Sequence, residues 1–119
     1  MRHHHGERDD EGFATAEAAV AMPALLAVLA LAVGVVVSVG GQLRCVDAAR
    51  AAARVAARGD SDASARSAAL LVAPRGAHVT IRHHGGVVEV EVTARVLTTH
   101  VLPAVPVQAR ADAEEEQAP

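Results

Sequence analysis

Large rings are nearly missing from this chain: 119 residues hold no Trp, no Tyr and a single Phe, Phe13. That shortage argues against aromatic-stacking nucleic-acid modules and against most soluble enzymes, whose platforms and cores use such rings. Lysine is also missing, so all eleven basic residues are Arg. Lysine-based covalent catalysis and a Walker-type phosphate loop are thereby excluded. A lone cysteine, Cys45, excludes an internal disulfide and any multi-cysteine metal site. The net charge of −3 argues against a generally basic nucleic-acid binder.

What is present is apolar mass of small size. Hydrophobic residues make up 51% of the chain, almost all of it Ala, Val and Leu. At 12.2 kDa the chain is enough for one small domain, or for a membrane anchor with a very small body. Its mean hydropathy of +0.24 is high for a soluble domain and low for an all-membrane one. The chain therefore divides into unlike parts. Residues 1–12 are wholly polar, with Glu7, Asp9, Asp10 and Glu11 against Arg2 and Arg8. From Ala18 to Leu43 no residue carries a formal charge. As a helix those 26 residues span about 39 Å, against a hydrocarbon layer of about 30 Å. Pro23 is expected to bend this helix near Ala19, and Gly40-Gly41 marks the expected exit from the bilayer. A cleavable secretory signal does not fit, because its apolar core is 7 to 15 residues after a basic start.

Past Leu43 the pattern changes to RCVDAARAAARVAAR, residues 44–58. Asp47, Arg50, Arg54 and Arg58 recur at helical spacing as one charged stripe, with Val46, Ala49, Ala53 and Ala56 on another face. The stripe reads either as a solvated face or as a phosphate-binding one. Gly59 is a helix stop, Asp60 or Ser61 an N-cap, and a short helix then runs to about Val72 before Pro74 and Gly76.

The remainder reads as β. Gly85-Gly86 suits a two-residue hairpin turn. That turn sets His83 opposite Val88, Ile81 opposite Val90 and Val79 opposite Val92 on one face. Arg82 then meets Glu89 and Thr80 meets Glu91 on the other. A third strand is expected from about Val105 to Ala111, with Val105, Val107, Ala109 and Ala111 inward. Pro106 makes it an edge strand. The acidic stretch 112–119 is expected to be a disordered tail.

The junction near Gly12 is the most informative stretch. A carboxylate one turn inside an apolar helix costs several kcal/mol unless it is paired or stays at the interface. Glu17 needs such a partner. A cut after Gly12 would free an amino group on Phe13, four residues before Glu17 and on the same helix face. The other reading is an interfacial Glu at a helix start, where the dipole favours acids.

GFATAEAAVAMPALLAVLALAVG followed by QLRCVDAARAAARVAARGD resembles the TadE-like minor pilins of tight-adherence systems, closest to the short actinobacterial type. The short hydrophilic leader with Gly12, Phe13 and Glu17 resembles a type IV prepilin leader. The resemblance covers about residues 9–60, and the β part only in layout. It implies cleavage by a prepilin peptidase between Gly12 and Phe13, with Glu17 setting subunit register through an N-terminal amine. It also implies pilin and assembly-machinery partners, a cytoplasmic leader and an extracytoplasmic body, in the cell membrane and in an extracellular pilus. The Arg count taken alone predicts the opposite orientation, since Arg44, Arg50, Arg54 and Arg58 outnumber Arg2 and Arg8.

The expected architecture is α+β: a leader at 1–12, a transmembrane helix at 13–43, a pilin-like αβββ body at 44–111 with a short helix and a three-stranded antiparallel sheet, and the tail. The expected partners include the lipid bilayer but neither nucleic acid nor a small-molecule substrate. No cofactor is expected, and no catalytic constellation is legible. His3 to His5, His78, His83, His84 and His100 form no converging ligand set. Cys45 is either a contact to a second subunit or a small buried residue of the Ala-rich face. The alternative function is an uncleaved single-pass membrane accessory or binding protein with a small β module.

Overall fold

The computed structural model describes residues 5–98, 100 and 102–116, with side chains from residue 8 onward. Arg2, His3 and His4 of the expected leader, and 117–119 of the expected tail, lie outside the described residues. The chain is α+β: α1 (His5–Ala57), α2 (Asp62–Val72), β1 (His78–His84), β2 (Val87–Val96) and β3 (Val105–Glu114). It divides into two units, Met1–Val33 and Gly34–Pro119.

The first unit is the leading part of α1, which begins inside the expected leader and passes Pro23 without interruption. Its large apolar side chains are exposed from Phe13 through Val33. Among the described residues α1 is the one helix long and apolar enough to cross a membrane.

The second unit is a helix–sheet body. The three strands are antiparallel in the order β1-β2-β3. The hairpin pairs are those expected: His83 with Val88, Ile81 with Val90, Val79 with Val92, Arg82 with Glu89. The turn glycines Gly85 and Gly86 have φ of 55° and 82°, which a side chain at either position would disfavour. On the outer face the alternation carries ion pairs, Arg82–Glu89 at 3.5 Å and Arg110–Glu91 at 2.9 Å. On the inner face Val88, Val90, Val92, Ala94, Val107 and Ala109 are buried.

These strands meet the small residues of α1 and α2. Cys45, Ala48, Ala49, Ala52, Ala53 and Ala56 of α1 and Ala65 and Ala69 of α2 complete one core. The buried face of α1 contains the expected Ala49, Ala53 and Ala56 and is wider than expected: Cys45, Ala48 and Ala52 are buried as well, and Val46 is half-buried. The charged stripe Asp47, Arg50, Arg54 and Arg58 is exposed as expected. Alanines hold helix and sheet close enough for valines to fill the space without rings.

Two boundaries differ from expectation. The apolar run does not stay outside the body as far as Gly40-Gly41. Gly34 is buried where an added Cβ would stand 3.6 Å from Leu102 and 3.7 Å from Thr98, and Gly41 is buried against Val96. Gly34, Ser38, Gly41, Cys45, Ala48 and Ala52 recur at spacings of four and three, a single face of small residues. Hydropathy cannot separate apolar residues that face lipid from those that face protein.

The second difference is at the C-terminal end. β3 continues to Glu114, Glu115 donates its N–H to the Gly86 carbonyl at 2.8 Å, and Glu116 donates to Ala57 at 2.9 Å. Residues 112–116 therefore belong to the body, because Ala111 and Ala113 keep the inward alternation going.

The third strand is an edge strand, as Pro106 requires. Gln42 of α1 pairs with its backbone: its amide nitrogen donates to the Gln108 carbonyl at 2.6 Å, and its side-chain oxygen accepts from the Gln108 N–H at 3.2 Å.

Candidate functional site

Gly12, Phe13 and Glu17 all lie on α1. Gly12 has open space around it, with nothing within 4 Å of an added Cβ. Phe13 is 77% exposed and Glu17 is exposed four residues later, so the two share one helix face. Thr15 returns its hydroxyl to the Glu11 carbonyl at 2.9 Å, one turn back, a bond that satisfies the hydroxyl without leaving the helix. The scissile bond expected from the leader pattern is thus accessible at its side chains and held in helical backbone.

Cys45 lies in the body and is wholly buried within the core. Burial pushes its thiol up from the ordinary value, which lowers the thiolate fraction that disulfide chemistry needs. A second subunit's sulfur would reach it only if α1 left the sheet. The placement favours the small-core-residue reading over the intermolecular contact.

The histidines are distributed, with one exception. His78, His84 and His100 are exposed. His83 stands between two carboxylates: Nδ1 is 2.5 Å from Glu115 and Nε2 is 2.9 Å from Asp62. The ring ties β1 to the first turn of α2 and to the residue after β3. The register opposite Val88 is the expected one, but at this end of the strand the side chain is half-exposed rather than covered by α1. Partners 21 and 32 residues away left no local signal in the sequence.

The His83 pKa is raised by its hydrogen bond to Glu115, then by that to Asp62. A raised folded value means that the protonated ring is the stabilising form. Its contribution is complete below the ordinary value of about 6.5 and fades as pH rises through the raised one. The melting temperature of the body is expected to fall as pH is raised through that window. His83→Gln should flatten the slope, as read by thermal unfolding across the pH series. An unchanged slope in the variant would remove His83 as its source.

Comparison with family models finds no match, and no solved structure matches the chain. Among curated proteins, Apoptosis inhibitor Rv3655c of Mycobacterium tuberculosis (strain ATCC 25618 / H37Rv) is 45% identical over 95 residues. That alignment covers 80% of this chain and 73% of the mycobacterial protein. Identity at that level across most of both chains reaches beyond the apolar helix, whose composition alone could produce chance similarity. The chain belongs to the family of this mycobacterial protein.

Proposed function

We propose that the protein is a structural subunit of a type IV tight-adherence pilus or related secretion apparatus, a TadE-like minor pilin or pseudopilin. In this reading a prepilin peptidase cuts between Gly12 and Phe13 on the cytoplasmic side. Residues from Phe13 hold the subunit in the cell membrane, with the body outside. The observation that carries the reading is the layout: Gly12, Phe13 and Glu17 precede an exposed apolar helix that runs unbroken into a small three-stranded body. The body's start at Gly34 supports it further. Phe13 to Val33 is 21 residues, about 32 Å of helix, close to the hydrocarbon thickness of about 30 Å. Glu17 then lies one turn inside the apolar layer, where an amine on Phe13 or on a neighbouring subunit offsets its cost.

The test is intact-mass and N-terminal analysis of the membrane-extracted protein, expressed with an active prepilin peptidase. A chain starting at Phe13, with Gly12→Asp leaving nearly all of it uncut, is the expected outcome. A chain that keeps residues 1–12 beside an active peptidase overturns the reading.

A second reading has one observation in its favour, the relative's name. In it the chain stays uncleaved, as a single-pass membrane protein that inhibits apoptosis. The same mass measurement separates the two.

A further inference from the structure

The outer face of the sheet is not uniform from end to end. At the hairpin-turn end stand Asp62, Glu115 and Glu116, near the last turn of α1. At the other end, where the chain enters the body at Gly34, a concavity of about 730 Å³ opens. Arg75, His78, Thr93, Arg95 and Gln108 line it. Every one of those side chains can donate a hydrogen bond, and no carboxylate is among the lining residues. The sheet arginines Arg82 and Arg110 are paired with Glu89 and Glu91. Arg75 and Arg95 have neither an ion pair nor a side-chain hydrogen bond among the described residues.

Four contacts fix which end this is. Val96, next to Arg95, lies against Gly41, while Thr98 and Leu102 lie near Gly34. Gln108, in the concavity wall, is held by Gln42. Gly41 is seven residues past Gly34, about 10 Å along the helix. The same end exposes large apolar side chains, Leu70, Leu71 (88%) and Val72 at the close of α2 and Leu97 (75%) after β2. Exposed leucines at the same end as unpaired arginines are the combination that seats a surface on lipid: apolar groups enter the interface and cations meet phosphate. A separation of about 10 Å is slightly more than one screening length, which is about 8 Å at physiological salt, so the attraction to the headgroups is weakened but not lost.

We propose that the Arg75–Arg95 concavity binds the phosphodiester headgroups of anionic lipids, seating the entry end of the body on the membrane surface. The inference rests on the reading of α1 as a membrane anchor. It adds a second, charge-selective attachment that the apolar helix does not supply. The guanidinium forks of Arg75 and Arg95 hold the phosphate oxygens, and Leu71 and Leu97 cover the acyl side of the same headgroups.

The test uses the full chain in nanodiscs of neutral phosphatidylcholine with increasing phosphatidylglycerol, followed by the NMR signals of the Arg75 and Arg95 side chains and the Gly76 amide. Saturable shifts that grow with phosphatidylglycerol are expected. Arg75→Gln with Arg95→Gln should raise the lipid fraction needed by at least tenfold, whereas Arg54→Gln on the solvent face of α1 should not change it. Flat signals from a chain that resides in the disc overturn the lipid site and leave the anchor reading standing. Equal shifts from inorganic phosphate alone also overturn it, in favour of a soluble anion. A chain recovered in the aqueous phase overturns both.

Discussion

Val90→Asp is expected to abolish the folded body, while Glu91→Val, one residue along the same strand, leaves it folded. Val90 is wholly buried in the middle of β2, with Ile81 and Ala111 beside it across the sheet. Removing it forfeits about 1.5–3 kcal/mol of apolar burial. The carboxylate put in its place adds a desolvation cost of several kcal/mol, or must take up a proton to avoid it. A body this small has total stability near the low end of the usual range, about 5 kcal/mol, so the sum exceeds what is available. Glu91 points to the opposite face and holds Arg110 in an exposed pair. Losing that pair costs up to about 1 kcal/mol. Hydrogen-exchange protection of the β2 amides in the full chain is the measurement, because α1 dominates the total helical signal. Protected β2 amides in Val90→Asp would mean that β2 is not the centre of the core.

Adjacent glycines on α1 should answer the same substitution with opposite sign. In a helix, Gly→Ala ordinarily gains about 0.5–1 kcal/mol. Gly40 has nothing within 4 Å of an added Cβ, and Gly40→Ala should show that gain. At Gly41 the new methyl would overlap a γ-methyl of Val96, which sits at the end of β2 and has only its short branched side chain to move. Overpacking of this kind costs about 1–3 kcal/mol, enough to reverse the propensity gain. Net of the propensity gain the loss is up to about 2.5 kcal/mol, so at about 4–8 °C per kcal/mol for a unit of this size the melting temperature should fall by up to roughly 20 °C. Val96→Ala removes the opposing methyl and should restore most of the loss in the double variant. A double-mutant cycle with no coupling between 41 and 96 would rule out this contact.

The parts of the fold that could be read from the sequence were those where neighbours along the chain determine the outcome. The hairpin register followed from Gly85-Gly86 together with an alternation in which Arg82 meets Glu89. Helix α2 followed from its Ser61 cap and the Pro74 after it. What could not be read depended on distant partners. Residues 34–43 are apolar whether they meet lipid or protein, and only the four-three spacing of Gly34, Ser38, Gly41 and Cys45 marks the face that meets the body. The strand β3 outlasted its expected end because three acids in a row suggest a solvated tail, while the alanines at 111 and 113 continue the buried side. The His83 tie joins three elements and has no local pattern at all. Near residue 12 the spacing alone left two readings of Glu17 open, the roles expected of Gly12, Phe13 and Glu17 came from the resemblance, and the helix adds that all three are accessible.

Gln42 has a consequence for crowding. Its carboxamide occupies the outward N–H and carbonyl of Gln108. By the alternation of an antiparallel strand, Pro106 faces the same way with no N–H to offer. A strand from another molecule that tried to dock along β3 would find its first two bonding positions taken or missing, and would have to pair through Arg110, Asp112 and Glu114 alone. A continuous cross-molecule ribbon needs a receptive edge on both sides of each sheet. With the start of β3 obstructed, edge-to-edge pairing of copies is favoured through β1 over β3. One glutamine on the helix thus works against the sheet-to-sheet growth that an open strand edge invites.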